Sequence, residues 1–143
     1  MLRNQFEVLN RCVDWAERHT QYRATADSAP IVQLSVQEPR PGVRVIMVAG
    51  ELDMLSAPTL EQAVRDQWVE GLRGLIIDLT ELIFLGCAGI LVLIHAEEAA
   101  RRANVPLRLV CKSQRLLRIL RICGALERFD VSNTLADAVC QHP

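Results

Sequence analysis

A chain of 143 residues fits one domain with room for a buried core, and half of its residues are apolar. Its formal net charge of −1 excludes partners held by a global electrostatic field, nucleic acid and membrane surface among them. The longest uncharged stretch, residues 82–94, falls short of the roughly 20 residues that span a bilayer. Charges recur too often near the N-terminus for a secretory signal, so a cytoplasmic protein is expected.

Leu2, Phe6, Leu9, Val13 and Ala16 recur at spacings of three and four, with Arg3, Glu7, Asp14 and Glu17 between them. This predicts an amphipathic helix, which either docks on the domain as an accessory helix or forms the seam of a homodimer or another partner. Residues 20–30 are polar and end in Asp27-Ser28-Ala29-Pro30, which reads as a linker. The expected division is therefore residues 1–30, helix and linker, and residues 31–143, the compact domain.

Residues 31–36 and 43–48 read as an antiparallel hairpin around Glu38-Pro39-Arg40-Pro41-Gly42. Gly50-Glu51-Leu52-Asp53 then leads to Ser56, the expected cap of a helix whose first turn tolerates Pro58. Leu60, Val64 and Trp68 mark its buried face, and Gly71 its end. Leu75, Ile76, Ile77 and Leu79 predict a strand covered on both faces. Gly86-Cys87-Ala88-Gly89 follows as an elbow of small residues, opening a helix whose first amides another backbone or an anion could approach.

Residues 90–94 should bury the first turns of that second helix, while Glu97, Glu98, Arg101 and Arg102 solvate its end and Asn104 and Pro106 stop it. Leu107, Leu109 and Val110 predict another strand. Ser113 caps a third helix with Leu116, Leu117, Ile119, Leu120 and Cys123 inward, closed by Gly124. A strand at 129–131 and a helix at 135–139 complete the order β-β-α-β-α-β-α-β-α. The expected fold is α/β: a mixed, mostly parallel sheet of four to five strands, with an antiparallel edge hairpin, helices packed around it and the extra N-terminal helix.

Four landmarks in order carry a family resemblance: Val48-Ala49-Gly50-Glu51-Leu52-Asp53, Leu75-Ile76-Ile77-Asp78-Leu79-Thr80, Ile83-Phe84-Leu85-Gly86-Cys87-Ala88-Gly89-Ile90, and Gly124-Ala125-Leu126. Over about residues 31–140 the chain resembles the STAS domain of anti-sigma factor antagonists. The resemblance implies a cytoplasmic, non-enzymatic protein that binds an anti-sigma factor, usually a kinase with a histidine-kinase-like ATPase fold, and so regulates sigma-factor-dependent transcription. In the typical family turn a phosphorylatable serine opens the second helix. Cys87 stands at that position, with Ala88 next to it, so control by phosphorylation is not expected here. The implied partner surface comprises Asp53, Met54 and Ser56 together with Gly86, Cys87, Ala88 and Gly89. The alternative reading is a STAS module that binds a nucleotide or small molecule, or serves a lipid- or metabolite-handling assembly.

Cys87 either fills the serine's space or acts as a redox switch, since a helix N-terminus favours thiolate and oxidation would return negative charge to the phosphate's place. The five cysteines lack CxxC spacing and the three histidines lie far apart, so no metal and no cofactor is expected. Free, mostly buried thiols are expected. Among redox candidates, Cys111 lies at the same strand end as Cys87 and is the better pair. Cys123 falls near the far end of the third helix, about 15 Å on at 1.5 Å per residue. A Cys87–His95 dyad fails because eight helical residues separate the two by about 12 Å. Asp53 and Asp78 read as turn and cap carboxylates, with Asp53 also carried as a partner contact. Lys112, Arg115, Arg118 and Arg121 read as a solvated face or a strip for an acidic partner; nucleic acid ranks third, as no aromatic platform accompanies them.

Overall fold

The computed structural model describes residues 21–26 and 29–142. The expected N-terminal helix lies outside the described residues. Among those described, six strands form one sheet in the order β1-β2-β3-β4-β5-β6. They are β1 (Gln21–Ala26), β2 (Ala29–Arg40), β3 (Val43–Leu52), β4 (Gly74–Leu85), β5 (Leu107–Val110) and β6 (Asp130–Ser132). Four α-helices accompany them: α1 (Ala57–Asp66), α2 (Cys87–Ala103), α3 (Gln114–Ile122) and α4 (Leu135–Gln141). A 3-10 turn, Leu126–Arg128, precedes β6.

β1, β2 and β3 form an antiparallel meander, whereas β3–β4, β4–β5 and β5–β6 pair in parallel. The sheet thus has more strands than expected, because the polar stretch assigned to a linker supplies β1. An edge strand needs little apolar content. Tyr22 packs on the main core, and its hydroxyl donates to Asp66 Oδ2 of α1 at 2.6 Å. Burial, then that carboxylate, pushes the Tyr22 phenol up to about 12. β2 likewise runs further than expected, to Arg40. Pro39, which has no N–H for the ladder, is absorbed by a register shift between Gln37 and Arg40. The reversal is then only Pro41-Gly42, with Gly42 at φ +80°.

The two sheet faces are unequally covered. On one, Leu34, Ile46, Val48, Leu75, Ile77, Leu79 and Leu109 meet Leu60 and Ala63 of α1, Leu93 and Ala96 of α2, and Leu116 and Leu120 of α3. On the other, Val43, Val45, Ile76 and Val110 meet Ala138 and Val139 of α4, with Met47 and Leu135 packed against them. Both sets alternate along the same strands, which is why β4 reads as a continuous apolar run.

Two helix ends depart from expectation. α1 stops at Asp66, not Gly71, and leaves Trp68 half-buried beyond it. Glu97, expected in solvent, is buried on α2, where it pairs with Arg101 and lies 3.6 Å from Arg128 of the 3-10 turn. The α2 stop at Asn104 (φ +55°) and the Ser113 cap, whose side chain accepts from Leu116 N, agree with the sequence reading.

The end of α4 is held from β2. Arg40 Nη1 donates to the carbonyls of Val139 (3.2 Å) and His142 (2.7 Å). The His142 ring lies against Gly74, where a Cβ would come within 2.4 Å of Nδ1. The residue is 2% exposed and neither ring nitrogen has a hydrogen-bond partner among the described residues. Burial first, then Arg108 and Arg40, pull its pKa down to about 4.

Because protonation is easier in the unfolded chain, His142 contributes stability that is present above pH about 6.5 and lost as pH falls towards about 4. The loss should reach at most about 3 kcal/mol. The lowered carboxyl groups of Asp53 and Asp66 act only below that window. Urea unfolding between pH 7 and pH 4 should show this slope in the parent and not in His142→Leu; equal slopes would refute the assignment.

Candidate functional site

β3 and β4 run in parallel register to their ends, with Glu51 opposite Phe84 and Leu52 opposite Leu85. Two loops therefore leave the sheet side by side. From β4 the chain turns at Gly86, in extended conformation, whose N–H donates to Leu52 O at 2.8 Å. α2 begins at once, with Ile90 N donating to Gly86 O. Gly86 brings no side-chain oxygen, so no cap covers the first amides of α2.

Gly89 is what lets the helix start so close. A Cβ there would stand 2.8 Å from Leu52 Cβ and 2.9 Å from Leu85 Cδ1. Gly89 is accordingly buried, Ala88 half-buried and Cys87 exposed. Of the four elbow residues expected at a partner surface, Gly89 supports it from beneath.

The neighbouring loop is organised by Asp53. Its Oδ1 accepts from Leu55 N (2.9 Å) and Ser56 N (3.0 Å), while its own N–H donates to Ser56 Oγ at 2.9 Å. Ser56 Oγ in turn donates to Glu51 O at 2.7 Å. The backbone N–H of Ser56 is the main reason the Asp53 carboxyl lies below its ordinary range. Ser56 makes no side-chain cap to α1 and is fully buried, so it too serves the surface from within. This tight loop turns Met54 and Leu55 outward, 82% and 71% exposed.

Three more apolar side chains are exposed around the elbow: Ile83 and Phe84 at the end of β4, and Leu91, one helical turn after Cys87. Five of the seven exposed large apolar residues among those described thus gather at one end of the sheet, which singles that end out as a contact surface. Arg115 at the start of α3 donates to Ile83 O and borders the same end. Sequence reading found Met54 but not Leu55, Ile83, Phe84 or Leu91. The apolar run past Thr80 and the uninterrupted 90–94 stretch carried the signal, yet alternation alone could not say which members face out.

The thiols differ from expectation. Cys87, Cys123 and Cys140 are exposed, and only Cys111 is buried among the described cysteines. Cys123 follows the last turn of α3 and points away from the core. No bridge joins Cys111 to Cys87. Burial pushes the Cys111 thiol up, which makes it a poor nucleophile. Asp78 caps its own strand segment, its Oδ1 accepting from Thr80 N and Oγ1. Lys112, Arg115, Arg118 and Arg121 are all exposed. Among the described residues no group of three or more His, Cys, Asp or Glu could hold a metal, and no helix is long and apolar enough to cross a membrane.

Comparison with known proteins points the same way. The family model of the STAS domain matches residues 36–138. The chain is 30% identical over 98 residues to the anti-sigma-F factor antagonist RsfB of Mycobacterium tuberculosis, covering 68% of this chain and 80% of that protein. It is 33% identical over 88 residues to the anti-sigma-B factor antagonist of Listeria monocytogenes, covering 62% and 77%. The crystal structure of an anti-sigma factor antagonist from Mycobacterium paratuberculosis superposes with a TM-score of 0.65 at 29% identity, covering 81% of this chain and 96% of that one.

The two elbow glycines should respond differently to alanine. Gly89→Ala places a methyl group against Leu52 and Leu85 and should cost about 1–3 kcal/mol despite alanine's better helix propensity. Gly86→Ala meets the exposed Phe84 ring at 3.2 Å and the Leu52 carbonyl oxygen at 3.4 Å, and should cost less than about 1 kcal/mol. Urea melts of both variants decide; equal losses would show that the close approach at Gly89 is not what seats α2.

Proposed function

Because the chain belongs to the STAS domain family of anti-sigma factor antagonists, we propose that it binds an anti-sigma factor through the apolar collar around Cys87 and so regulates sigma-factor-dependent transcription. Proteins of this family are regulatory binding proteins, not enzymes. The observation that carries the reading is the coincidence of an open elbow with five exposed apolar side chains at the same sheet end. Burying such a collar yields about 25 cal/mol per Å² of apolar surface, with Phe84, Leu55 and Leu91 the natural anchors.

The finer reading is that the partner is a cytoplasmic kinase-like protein of the histidine-kinase ATPase fold and that no phosphate gates its binding. A phosphoserine at position 87 would place roughly −1.5 to −2 charges in the middle of an apolar contact. The protonated thiol of Cys87 is small and neutral, so the seat stays open. Modulation then falls to oxidation, with peroxide as the oxidant. The Cys87 thiolate attacks a peroxide oxygen, the S–O bond forms as the O–O bond breaks, hydroxide leaves and the neutral sulfenic acid remains. A second equivalent gives the sulfinate, whose fixed negative charge does at the helix start what phosphate would do.

Affinity for the cognate anti-sigma factor, measured calorimetrically, tests the surface. Cys87→Ser should bind within about threefold of the parent, and Cys87→Asp and Leu91→Asp at least about tenfold more weakly. Peroxide treatment should weaken the parent but not Cys87→Ser. Unchanged affinity in both aspartate variants would place the interface elsewhere.

A further inference from the structure

The sheet face that α4 covers is covered only in part, and a groove of about 490 Å³ remains beside it. Its floor follows from register: Ser35 pairs with Met47, and Met47 with Asp78, so the three side chains share one row on one face. Glu81 lies further along β4, Lys112 just after β5, and Leu135 at the start of α4 closes the far wall.

Asp78 is the unusual member. It is 5% exposed, and its Oδ1 is used by Thr80 N at 2.9 Å and Thr80 Oγ1 at 2.5 Å. Its second oxygen makes no hydrogen bond among the described residues, although the side chain lines the groove. Lys112 forms no ion pair with Asp78 or Glu81 within 4.0 Å. Asp78 at the floor and the exposed Glu81 and Lys112 at the rim therefore face the same concavity without pairing with one another. Of the three only Asp78 is buried, and the open oxygen of a buried carboxylate is the one that calls for a partner.

We propose that this groove is a binding site for a small zwitterion of the amino-acid type. The ligand's ammonium group donates to the open oxygen of Asp78 and to Glu81, its carboxylate accepts from Lys112, and an aliphatic side chain lies along Met47 and Leu135. The presence of both signs selects this class, since each charge of a zwitterion finds an opposite one in the groove. A nucleoside polyphosphate would meet two carboxylates and one cation, with no aromatic side chain on which to stack a base. A polycation would meet Lys112. The site lies on the sheet face away from α1–α3 and does not depend on the anti-sigma reading.

Amide-resolved NMR titration with L-leucine and L-methionine tests it. At least one should shift the Ser35, Thr80 and Lys112 amides saturably at millimolar concentration. Leucinamide, which lacks the carboxylate, and N-acetyl-leucine, which lacks the ammonium, should each bind at least about tenfold more weakly than leucine. Lys112→Gln, at an exposed position, should abolish the shifts and leave the spectrum folded. Asp78→Asn retains an acceptor for Thr80 and should likewise lose binding. Absence of saturable shifts with both amino acids overturns the proposal. So do equal shifts with the blocked analogues, or ATP shifting these amides when neither amino acid does.

Discussion

The contact on which the rest of the structure depends is the approach of the first turn of α2 to the ends of β3 and β4, made possible by the missing side chain at Gly89. It seats the helix start against Leu52 and Leu85, and through the Gly86–Leu52 hydrogen bond it ties the elbow to the neighbouring strand. Because β3 and β4 stay paired in parallel to their last residues, through two register shifts, the Asp53 loop leaves the sheet beside that elbow. One close approach thus gathers side chains that are more than thirty positions apart in the chain. The collar of Met54, Leu55, Ile83, Phe84 and Leu91 follows from it.

Electrostatically the elbow is plain. Gly86 supplies no capping oxygen, Ala88 has no hydroxyl, and the Cys87 thiol is neutral when protonated. The nearest organised charge, Asp53, is spent within its own loop on the amides of Leu55 and Ser56. A surface of this kind offers shape and apolar area, and the Arg115 guanidinium at its border is engaged with the Ile83 carbonyl.

Much of the fold was legible in the sequence, because long amphipathic and apolar runs state their periodicity openly. The β4 run, the small-residue elbow, the Ser113 cap and the Asn104 stop all stand where the pattern put them. Where expectation failed, one residue usually outweighed the local pattern. β1 is polar except for Tyr22 and Ala residues, and it is recruited by an edge strand's modest needs and a bond to α1. Glu97 carries a charge yet is buried, because Arg101 and Arg128 meet it there. Ser56 looked like a cap, but Asp53, three residues earlier, claims its hydroxyl and amide. The exposed collar was only partly readable, since an apolar residue announces that it can be buried and not whether the chain itself buries it.

Tyr22 is the one tyrosine of the chain, and it bridges the outermost strand to α1 through Asp66. Its phenol, pushed up to about 12, would ionise earlier if β1 peeled away. The molecule therefore carries a built-in optical gauge. Tyrosinate absorbance between about pH 10 and pH 12 reads the attachment of the sheet's edge, without a label and without interference from a second phenol.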